Sequence, residues 1–281
     1  MSDSVAGRER ARKLVEGISK GHGYLGEDVL SQMSDEVRRQ VEEAMLRKDE
    51  MIGSSVVTLS KNLYNSSARF VFELVQNADD NHYTTARGRA TVPSLAFHVY
   101  PRRIIVDCNE DGFTHENLVA ICNVGKSSKT GAQGYIGEKG IGFKSVFMVA
   151  CKVHIQSGNF SFSFRHKPGG SGMGMISPIW EDVEEQLQRP MTRMTLYLHD
   201  DAAPRETAMQ QFRELQDTLL LFTKNLQRLE VSMYDDDEKH LSSTVFAISS
   251  QNENLKVLTK TLLARDGTSE ELTRNYHLTK Y

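Results

Sequence analysis

Three polar residues share one face of a predicted helix near the middle of the first half of the chain. Glu73, Asn77 and Asp80 follow one another at i, i+4 and i+7 in the segment FELVQNADD, so their side chains project from the same side. A carboxylate held there can accept a proton from water, and a carboxamide oxygen can ligate Mg²⁺. Because apolar residues flank Glu73, a buried carboxylate would require a partner. The stripe predicts a magnesium–nucleotide site, with an exposed, ordinarily capped helix face as the alternative.

A glycine-rich segment later in the chain predicts an anion-binding loop. Gly137, Gly140 and Gly142 lead into an apolar run of helical length, Phe143 to Ala150. Glycine lets the backbone approach a phosphate closely, and a helix that follows adds free N–H groups and a favourable dipole. Lys144 adds a positive charge. The spacing is not that of a Walker loop or a dinucleotide-binding fold, and a tightly packed glycine turn is the alternative.

Hydrophobic periodicity indicates the elements that must position these residues. We predict helices over 37–46, 59–83 and 204–224, a short helix over 117–122, and strands over 95–100, 104–107, 152–157, 160–165, 194–198 and 229–234. The loop 125–134, rich in Gly, Ser, Lys and Thr, has the composition of a mobile lid. The remainder, 235–281, is polar. Helices combined with alternating strands indicate an α+β fold.

Composition narrows the class of protein. The chain has 281 residues and a formal net charge of −3, with a pI near 6.3, which gives no signal for nucleic acid as a partner. Three cysteines without metal-type spacing are typical of reduced thiols, and the histidines form no zinc motif. No apolar run approaches the ~20 residues of a membrane span, and the N-terminus lacks signal-peptide character. We therefore expect an intracellular protein, cytoplasmic or nuclear, with no membrane association.

Five segments in a fixed order resemble one family. They are ELVQNADD, IIVDCNEDGFT, NVGKSSKTG, YIGEKGIGFKSVF and TRMTLYL. This order resembles the GHKL ATPase superfamily, and within it the branch of the ninety-kilodalton heat-shock chaperone with its sacsin and NO VEIN relatives. The similarity covers about residues 59–234. It implies the Bergerat fold, an α/β sandwich in which a mixed, mainly antiparallel sheet carries helices on one face.

The resemblance also implies roles for individual residues. Glu73 would be the general base that orients water, Asn77 would ligate Mg²⁺ and touch the phosphates, and Asp80 would lie on the adenine and ribose side. The other implied nucleotide contacts are Asn123 and Lys129 of the lid segment, the glycine-box residues Gly137, Gly140, Ile141, Gly142 and Phe143 with the neighbouring Lys144, and Thr192 near the adenine-reading residue. ATP or ADP and Mg²⁺ are the implied ligands.

One motif departs from the family pattern. The superfamily reads adenine with an aspartate in DxGxG followed by an apolar residue, whereas this chain has DCNEDGF over 107–113. Counting back from Gly112 places Cys108 at the aspartate and Glu110 at the first glycine. Phe113 takes the apolar position.

Three neighbouring polar residues could replace the missing aspartate. We expect Asn109 to read the base, because sacsin and NO VEIN relatives resemble this chain in carrying an NE-x-GF string and because a carboxamide oxygen can accept the adenine amino hydrogen. Asp111 and Asp107 are the alternatives. Base specificity is therefore open at this stage.

The implied function is that of a Mg²⁺-dependent ATP-binding domain. Slow hydrolysis of ATP to ADP and phosphate would drive lid closure and conformational change in a larger, chaperone-like protein; a non-hydrolysing, nucleotide-regulated interaction module is the alternative. We expect a helical extension over 1–50, the ATP-binding domain over 51–235, and an extension over 236–281 that leads to a missing domain. In this superfamily hydrolysis usually needs a lysine or arginine from a later domain and dimerisation. Partners would be protein clients, further domains or a second copy of the chain.

Overall fold

A mixed, mostly antiparallel sheet forms the centre of the fold. The computed structural model describes residues 2–23, 25, 27–63, 70–123, 142–166, 172–183, 187, 190–252 and 254–277. Lys129, Gly137, Gly140, Ile141 and the predicted lid 125–134 lie outside the described residues, so their expected roles stay predictions.

The helices and strands follow one another along the chain with these bounds. The α-helices are α1 (Ser2–Gly21), α2 (Glu27–Leu30), α3 (Asp35–Leu63), α4 (Phe70–Asp79), α5 (Thr84–Gly88), α6 (His115–Cys122) and α7 (Ala202–Arg213). The strands are β1 (Ser94–Val99), β2 (Arg103–Cys108), β3 (Ala150–Ser157), β4 (Phe160–Arg165), β5 (Ile179–Trp180), β6 (Thr192–Leu198), β7 (Arg228–Tyr234), β8 (His240–Ser250), β9 (Leu255–Ala264) and β10 (Ser269–His277). Short 3-10 helices cover Gly142–Met148, Gly172–Met175 and Asp217–Phe222.

The ten strands found among the described residues belong to one sheet, in the order β10-β9-β8-β7-β1-β2-β6-β3-β4-β5. Neighbouring strands run antiparallel, except that β1 and β7 are parallel, from Ser94 opposite Arg228 to Val99 opposite Met233. The sheet is therefore mixed but mainly antiparallel, which confirms the predicted α+β class.

The two faces of the central strands differ in polarity. Buried and half-buried residues alternate along β1 and β2, as expected for strands with one face in the core. Helices α4 and α7 pack on the apolar face, where the ring of Phe212 lies 6.1 Å from that of Phe70 and 5.1 Å from that of Phe97. The opposite face carries polar pairs such as Asp107 with Arg193. Sheet and helices thus form the layered α/β arrangement that the sequence predicted.

Two helical predictions need correction. The expected helix over 204–224 ends as α7 at Arg213 and is followed by a separate 3-10 helix, Asp217–Phe222. The apolar run after the glycine box forms the 3-10 helix Gly142–Met148 rather than an α-helix, and β3 begins at Ala150. In both places the apolar residues at helical spacing lie in separate, shorter helical segments and not in one long α-helix.

The C-terminal part of the described chain is more regular than its composition indicated. Strands β8, β9 and β10 extend the same sheet beyond β7, so the expected boundary at 235/236 falls between neighbouring strands. The boundary at 50/51 falls inside α3. No helix in the described residues combines the length and apolar character that crossing a bilayer requires.

Candidate functional site

Helix α4 presents the predicted polar stripe. Glu73 and Asn77 are half-buried on this helix, and Asp80 follows directly after it, with its N–H donating to the carbonyl of Gln76 at 3.0 Å. The apolar side of the helix is core: Phe70, Val71, Leu74, Val75 and Ala78 are all buried. The helix therefore has one apolar side against the sheet and one partly open side that carries Glu73 and Asn77.

A neighbouring carboxylate holds the C-terminal end of α4 in place. The Asp79 carboxylate, on a residue only 6% exposed, accepts the backbone N–H groups of Lys224, Asn225 and Leu226 at 2.8, 2.7 and 2.9 Å. The side-chain amide of Asn225 also donates to the Asp79 carbonyl at 2.7 Å. This cluster fixes the polar helix to the turn that precedes β7. The sequence offered no signal for it, because the three donors are backbone groups distant in the chain.

The position at which the resemblance implies an adenine-reading aspartate is occupied by neutral groups. Cys108 is buried, and its sulfur lies 3.2 Å from the hydroxyl of the fully buried Tyr83. Burial, with a smaller effect of the Glu110 charge, raises the pKa of the Cys108 thiol to about 12. Burial likewise raises the pKa of Tyr83, whose hydroxyl donates to the Ala78 carbonyl at 2.7 Å. At neutral pH this spot carries an uncharged thiol and phenol, beside the buried carboxyl group of Glu110.

Asn109, the preferred replacement for the aspartate, binds the nearby backbone with its side chain. Its carboxamide oxygen accepts the N–H of Ser94 at 2.8 Å, and its amide nitrogen donates to the carbonyl of Val92 at 2.8 Å. Both ends of the side chain thus bind the backbone where β1 begins. The Asn109 oxygen has a second lone pair, but the bond from Ser94 fixes the direction in which that oxygen points.

The two alternative residues are also engaged. Each carboxylate oxygen of Asp111 accepts one backbone N–H at the start of α5, from Thr85 at 2.7 Å and from Thr84 at 2.8 Å. Partial burial opposes ionisation of Asp111, but the hydrogen bonds from Thr85 and Thr84 outweigh it and hold the pKa below its ordinary value. Asp107 lies on the opposite face of the sheet, where Arg193 binds both of its oxygens at 2.6 Å.

A hydroxyl pair supports the loop that follows β2. The hydroxyls of Ser157 and Thr192 lie 2.5 Å apart, and Ser157 also accepts the N–H of Phe113 at 2.8 Å. Gly112 has φ +98°, a conformation that favours glycine, and an added Cβ would lie 3.4 Å from the Ser157 oxygen. Thr192 therefore takes part in holding this loop, next to the residues predicted to read the base.

Lys144 is directed into the core. It is 1% exposed, and its Nζ donates to the carbonyls of Ile121 and Met175 at 2.6 Å each. The ammonium lies 5.3 and 4.8 Å from the ring centroids of Phe143 and Phe164. Burial lowers the pKa of Lys144 to about 7. Lys144, which was predicted to bind phosphate, thus joins the 3-10 helix Gly142–Met148 to the end of α6.

The remaining predicted contacts frame the undescribed stretch 124–141. Asn123 is the C-cap residue of α6, with its N–H donating to the Ala120 carbonyl at 3.3 Å. Gly142 and the buried Phe143 begin the 3-10 helix on the other side. These two ends lie close in space, because Lys144 on one side bonds the carbonyl of Ile121 on the other.

Comparisons with known proteins agree with the chaperone-like motifs at low identity. No family model matches the chain. It is 40% identical to Protein NO VEIN of Arabidopsis thaliana over 57% of this chain and 6% of that protein. It is 24% identical to the mitochondrial heat shock protein 75 kDa of Rattus norvegicus, over 69% of this chain and 31% of that protein. It is 27% identical to the chaperone protein HtpG of Anaplasma phagocytophilum (strain HZ), over 56% of this chain and 28% of that protein.

The similarity covers only a small part of each relative. The chain spans less than a third of the length of each of these relatives. More than half of the chain is similar to part of a plant protein and to parts of heat-shock chaperones.

Proposed function

We propose that this chain is the nucleotide-binding domain of a GHKL-type ATPase, allied to the heat-shock chaperone branch and its NO VEIN relatives. It binds ATP with Mg²⁺ and hydrolyses it slowly to ADP and phosphate. The observation that carries the proposal is the placement of Glu73 and Asn77, both half-buried, one turn apart on helix α4, whose buried side is mainly apolar. Similarity to named chaperones over more than half of the chain supports it.

The oxygen donors of α4 fit a magnesium ion that is held mainly through a nucleotide. Asn77 offers a neutral oxygen, and Mg²⁺ keeps several waters and takes its other ligands from phosphates. Among the described residues no group of three or more His, Cys, Asp or Glu could hold a metal, so an all-protein cage is not the arrangement proposed. When bound, the ion would neutralise charge on the phosphates.

The protein side of the reaction is assigned to α4. Glu73 accepts a hydrogen bond from the attacking water and takes its proton, while Asn77 fixes the nucleotide so that this water is in line. The Asp79 cluster keeps the helix, and therefore both side chains, in one position relative to the sheet. The other predicted nucleotide contacts are Asp80, Asn109, Asp111, Phe113, Asn123, Lys129, Gly137, Gly140, Ile141, Gly142, Phe143, Lys144 and Thr192. Of these, Asn109, Asp111, Lys144 and Thr192 would contribute mainly by shaping the backbone around the site.

The test separates binding from hydrolysis. Calorimetric titration with Mg²⁺-ATP should show binding to the wild type and to Glu73→Ala but not to Asn77→Ala. Phosphate release should be lost in both variants. Gln76→Ala, on the same helix and half-buried, is the matched control and should keep both activities. Tight binding by Asn77→Ala would contradict the site assignment, whereas binding without phosphate release by the wild type would favour the non-hydrolysing module.

The biological setting follows from the same similarity. We propose that nucleotide turnover closes the predicted lid and changes the conformation of a longer, chaperone-like protein that acts on protein clients or on its own further domains. An intracellular location, in the cytoplasm or nucleus, agrees with the free thiols of Cys108, Cys122 and Cys151.

A further inference from the structure

Strand β10 is a long sheet edge with few covered side chains. Its nine residues pair on one side with β9, from Ser269 opposite Leu263 to His277 opposite Leu255. It ends the strand order, so within the described residues no strand pairs with its outer side. All of its residues except Tyr276 are exposed. The strand at the other end of the sheet, β5, has only two residues.

An edge of this kind is a template for adding another strand. Its outer backbone N–H and C=O groups are unpaired by the sheet, and folded proteins usually shorten, bend or cover such edges. Strand addition at an open edge is a common mode of recognition, in which the side-chain pattern selects the partner. The side chains of β10 therefore indicate which strand would fit.

The pattern on one face of β10 is complementary to itself. Glu270, Leu272 and Arg274 alternate along the strand and so share a face. If two copies of β10 run antiparallel with Leu272 opposite Leu272 of the second copy, each Glu270 lies opposite Arg274 of the other copy. Directly opposite residues of unlike charge stabilise an antiparallel pair, and the arrangement has the twofold symmetry of most homodimers.

Other symmetric registers are less favourable. Centring the pair on Glu270, Glu271 or Arg274 would bring two identical charges together, which destabilises a cross-strand pair. Centring it on Thr273 would bring no charges of opposite sign together. The sequence of β10 thus favours one register, with a leucine at its centre and an ion pair on each side.

Two partly exposed leucines lie on this face, Leu272 on the sheet edge and Leu262 on the neighbouring strand β9. Leu272 is 45% exposed and Leu262 is 38% exposed. Both lie on the same face, because Leu272 pairs with Lys260 of β9 and Leu262 is two residues further along that strand. The Lys260 ammonium lies 5.8 Å from the ring centroid of Phe246, on the side away from the edge. In the edge-to-edge pair the two copies of Leu272 would face and cover each other, whereas Leu262 on β9 would stay one strand away from the partner.

Arg274 is already oriented on this face. Its Nη1 lies 3.4 Å from Asp217 Oδ2, in an ion pair whose arginine side chain is 52% exposed and whose aspartate side chain is 12% exposed. A guanidinium carries five N–H donors, so Arg274 can donate to Asp217 and also to Glu270 of a second copy.

We propose that two copies of this chain associate edge to edge through β10, antiparallel with Leu272 at the twofold axis, so that their sheets become continuous. The inference rests on the sheet edge alone and is independent of the proposed nucleotide site. A single strand pair is small beside the ~800 Å² per partner of a standard interface, so the dimer should be reversible and dependent on concentration.

Sedimentation of the full 281-residue chain over a wide range of concentration tests the association, and exchanging the two charges tests the register. Glu270→Arg should weaken the dimer roughly tenfold, because both ion pairs become repulsive. Adding Arg274→Glu to that variant re-creates both ion pairs between the copies but also places a carboxylate near Asp217, so it should restore the association in part. Glu271→Arg is the matched control: it makes the same charge change on the other face, opposite Thr273 of the second copy, and should have little effect.

Cross-linking gives a second, geometric test in a Cys151→Ser background. Opposite residues of an antiparallel pair have Cα atoms about 4.5–5.5 Å apart, within disulfide range, so Leu272→Cys should form a dimer on mild oxidation. Ser269→Cys should not, because its two copies would be about 20 Å apart. A chain that stays monomeric at every concentration, a charge exchange that fails to restore association, or equal cross-linking at both positions would overturn the proposal.

Discussion

Replacing Asp79 should destabilise the fold more than replacing an exposed acid. The Asp79→Ala change removes the acceptor for three backbone N–H groups, those of Lys224, Asn225 and Leu226. Hydrogen bonds to a charged group contribute about 1.5–3 kcal/mol each, and buried donors left without a partner cost a similar amount. Only the bond from Leu226 is fully buried. Water can replace the acceptor for the other two donors.

We therefore expect Asp79→Ala to lower the free energy of unfolding by about 3–5 kcal/mol. Asp79→Asn should cost roughly half of that, because it keeps one acceptor oxygen but turns an amide towards the donors. Urea unfolding followed by circular dichroism measures both changes. The exposed Asp236→Ala is the control and should stay within about 0.5 kcal/mol of the wild type.

Hydrogen exchange shows whether the loss occurs at the expected place. Protection of the Lys224, Asn225 and Leu226 amides should fall in Asp79→Asn by more than that of amides in β3. A loss below about 1 kcal/mol in Asp79→Ala, or unchanged protection of these three amides, would refute the argument that this carboxylate anchors α4.

Two further predictions concern buried titratable groups. Because the pKa of Lys144 is lowered to about 7 and an unfolded lysine titrates near ~10.4, the unfolded chain binds more protons above pH 7. The free energy of unfolding should then rise between about pH 7 and pH 8.5, by up to about 1 kcal/mol per pH unit, and Lys144→Met should flatten that rise in urea titrations. The raised pKa values of Cys108 and Cys122 act in the opposite direction only at higher pH. Tyr83→Phe should cost about 1–2 kcal/mol, because the Ala78 carbonyl loses its hydroxyl donor, and an unchanged urea midpoint would contradict that reading.

Strands with one buried face could be predicted well from the sequence. The expected strands over 95–100 and 104–107 agree within a residue or two with β1 and β2, because alternating burial leaves a period of two in the residue types. The strands of the C-terminal segment left no such pattern. Almost every residue of β10 is exposed, so neither of its faces selects for apolar residues, and only its pairing with β9 shows that it is a strand.

Apolar spacing alone misjudged the segment after β6. Phe212, Leu215, Leu219 and Phe222 follow at helical intervals, which favoured one helix across all four. The structure buries Phe212 and Leu215 but leaves Phe222 84% exposed, and non-helical residues separate α7 from the next 3-10 helix. The spacing of apolar residues cannot show whether successive turns belong to one axis.

The polar residues expected at the site fall into two groups, those that share one helix and those whose hydrogen-bond partners are distant backbone groups. A stripe on one helix is a local pattern, so the sequence could place Glu73 and Asn77 together. The partners of Asn109 and Asp111 are backbone N–H groups of Ser94, Thr84 and Thr85. Such donors have no signature in the residue types, and no reading of the loop by composition could foresee them.

That separation bears on how this chain would select its base. A residue whose oxygens already accept backbone N–H groups holds a loop in shape. Each oxygen keeps a second lone pair, but the backbone bonds fix its direction, so it could accept a base amino group only from where the loop lets that lone pair point. Asn109 and Asp111 are in that position, and Cys108 replaces the carboxylate of the family pattern with a thiol whose pKa is raised to about 12. If the base is bound where the resemblance implies, no anion at position 108 would distinguish one purine from another. If the chain binds ATP as proposed, the phosphates and Mg²⁺ at Asn77 should supply more of its affinity, and the base less, than the family pattern would imply.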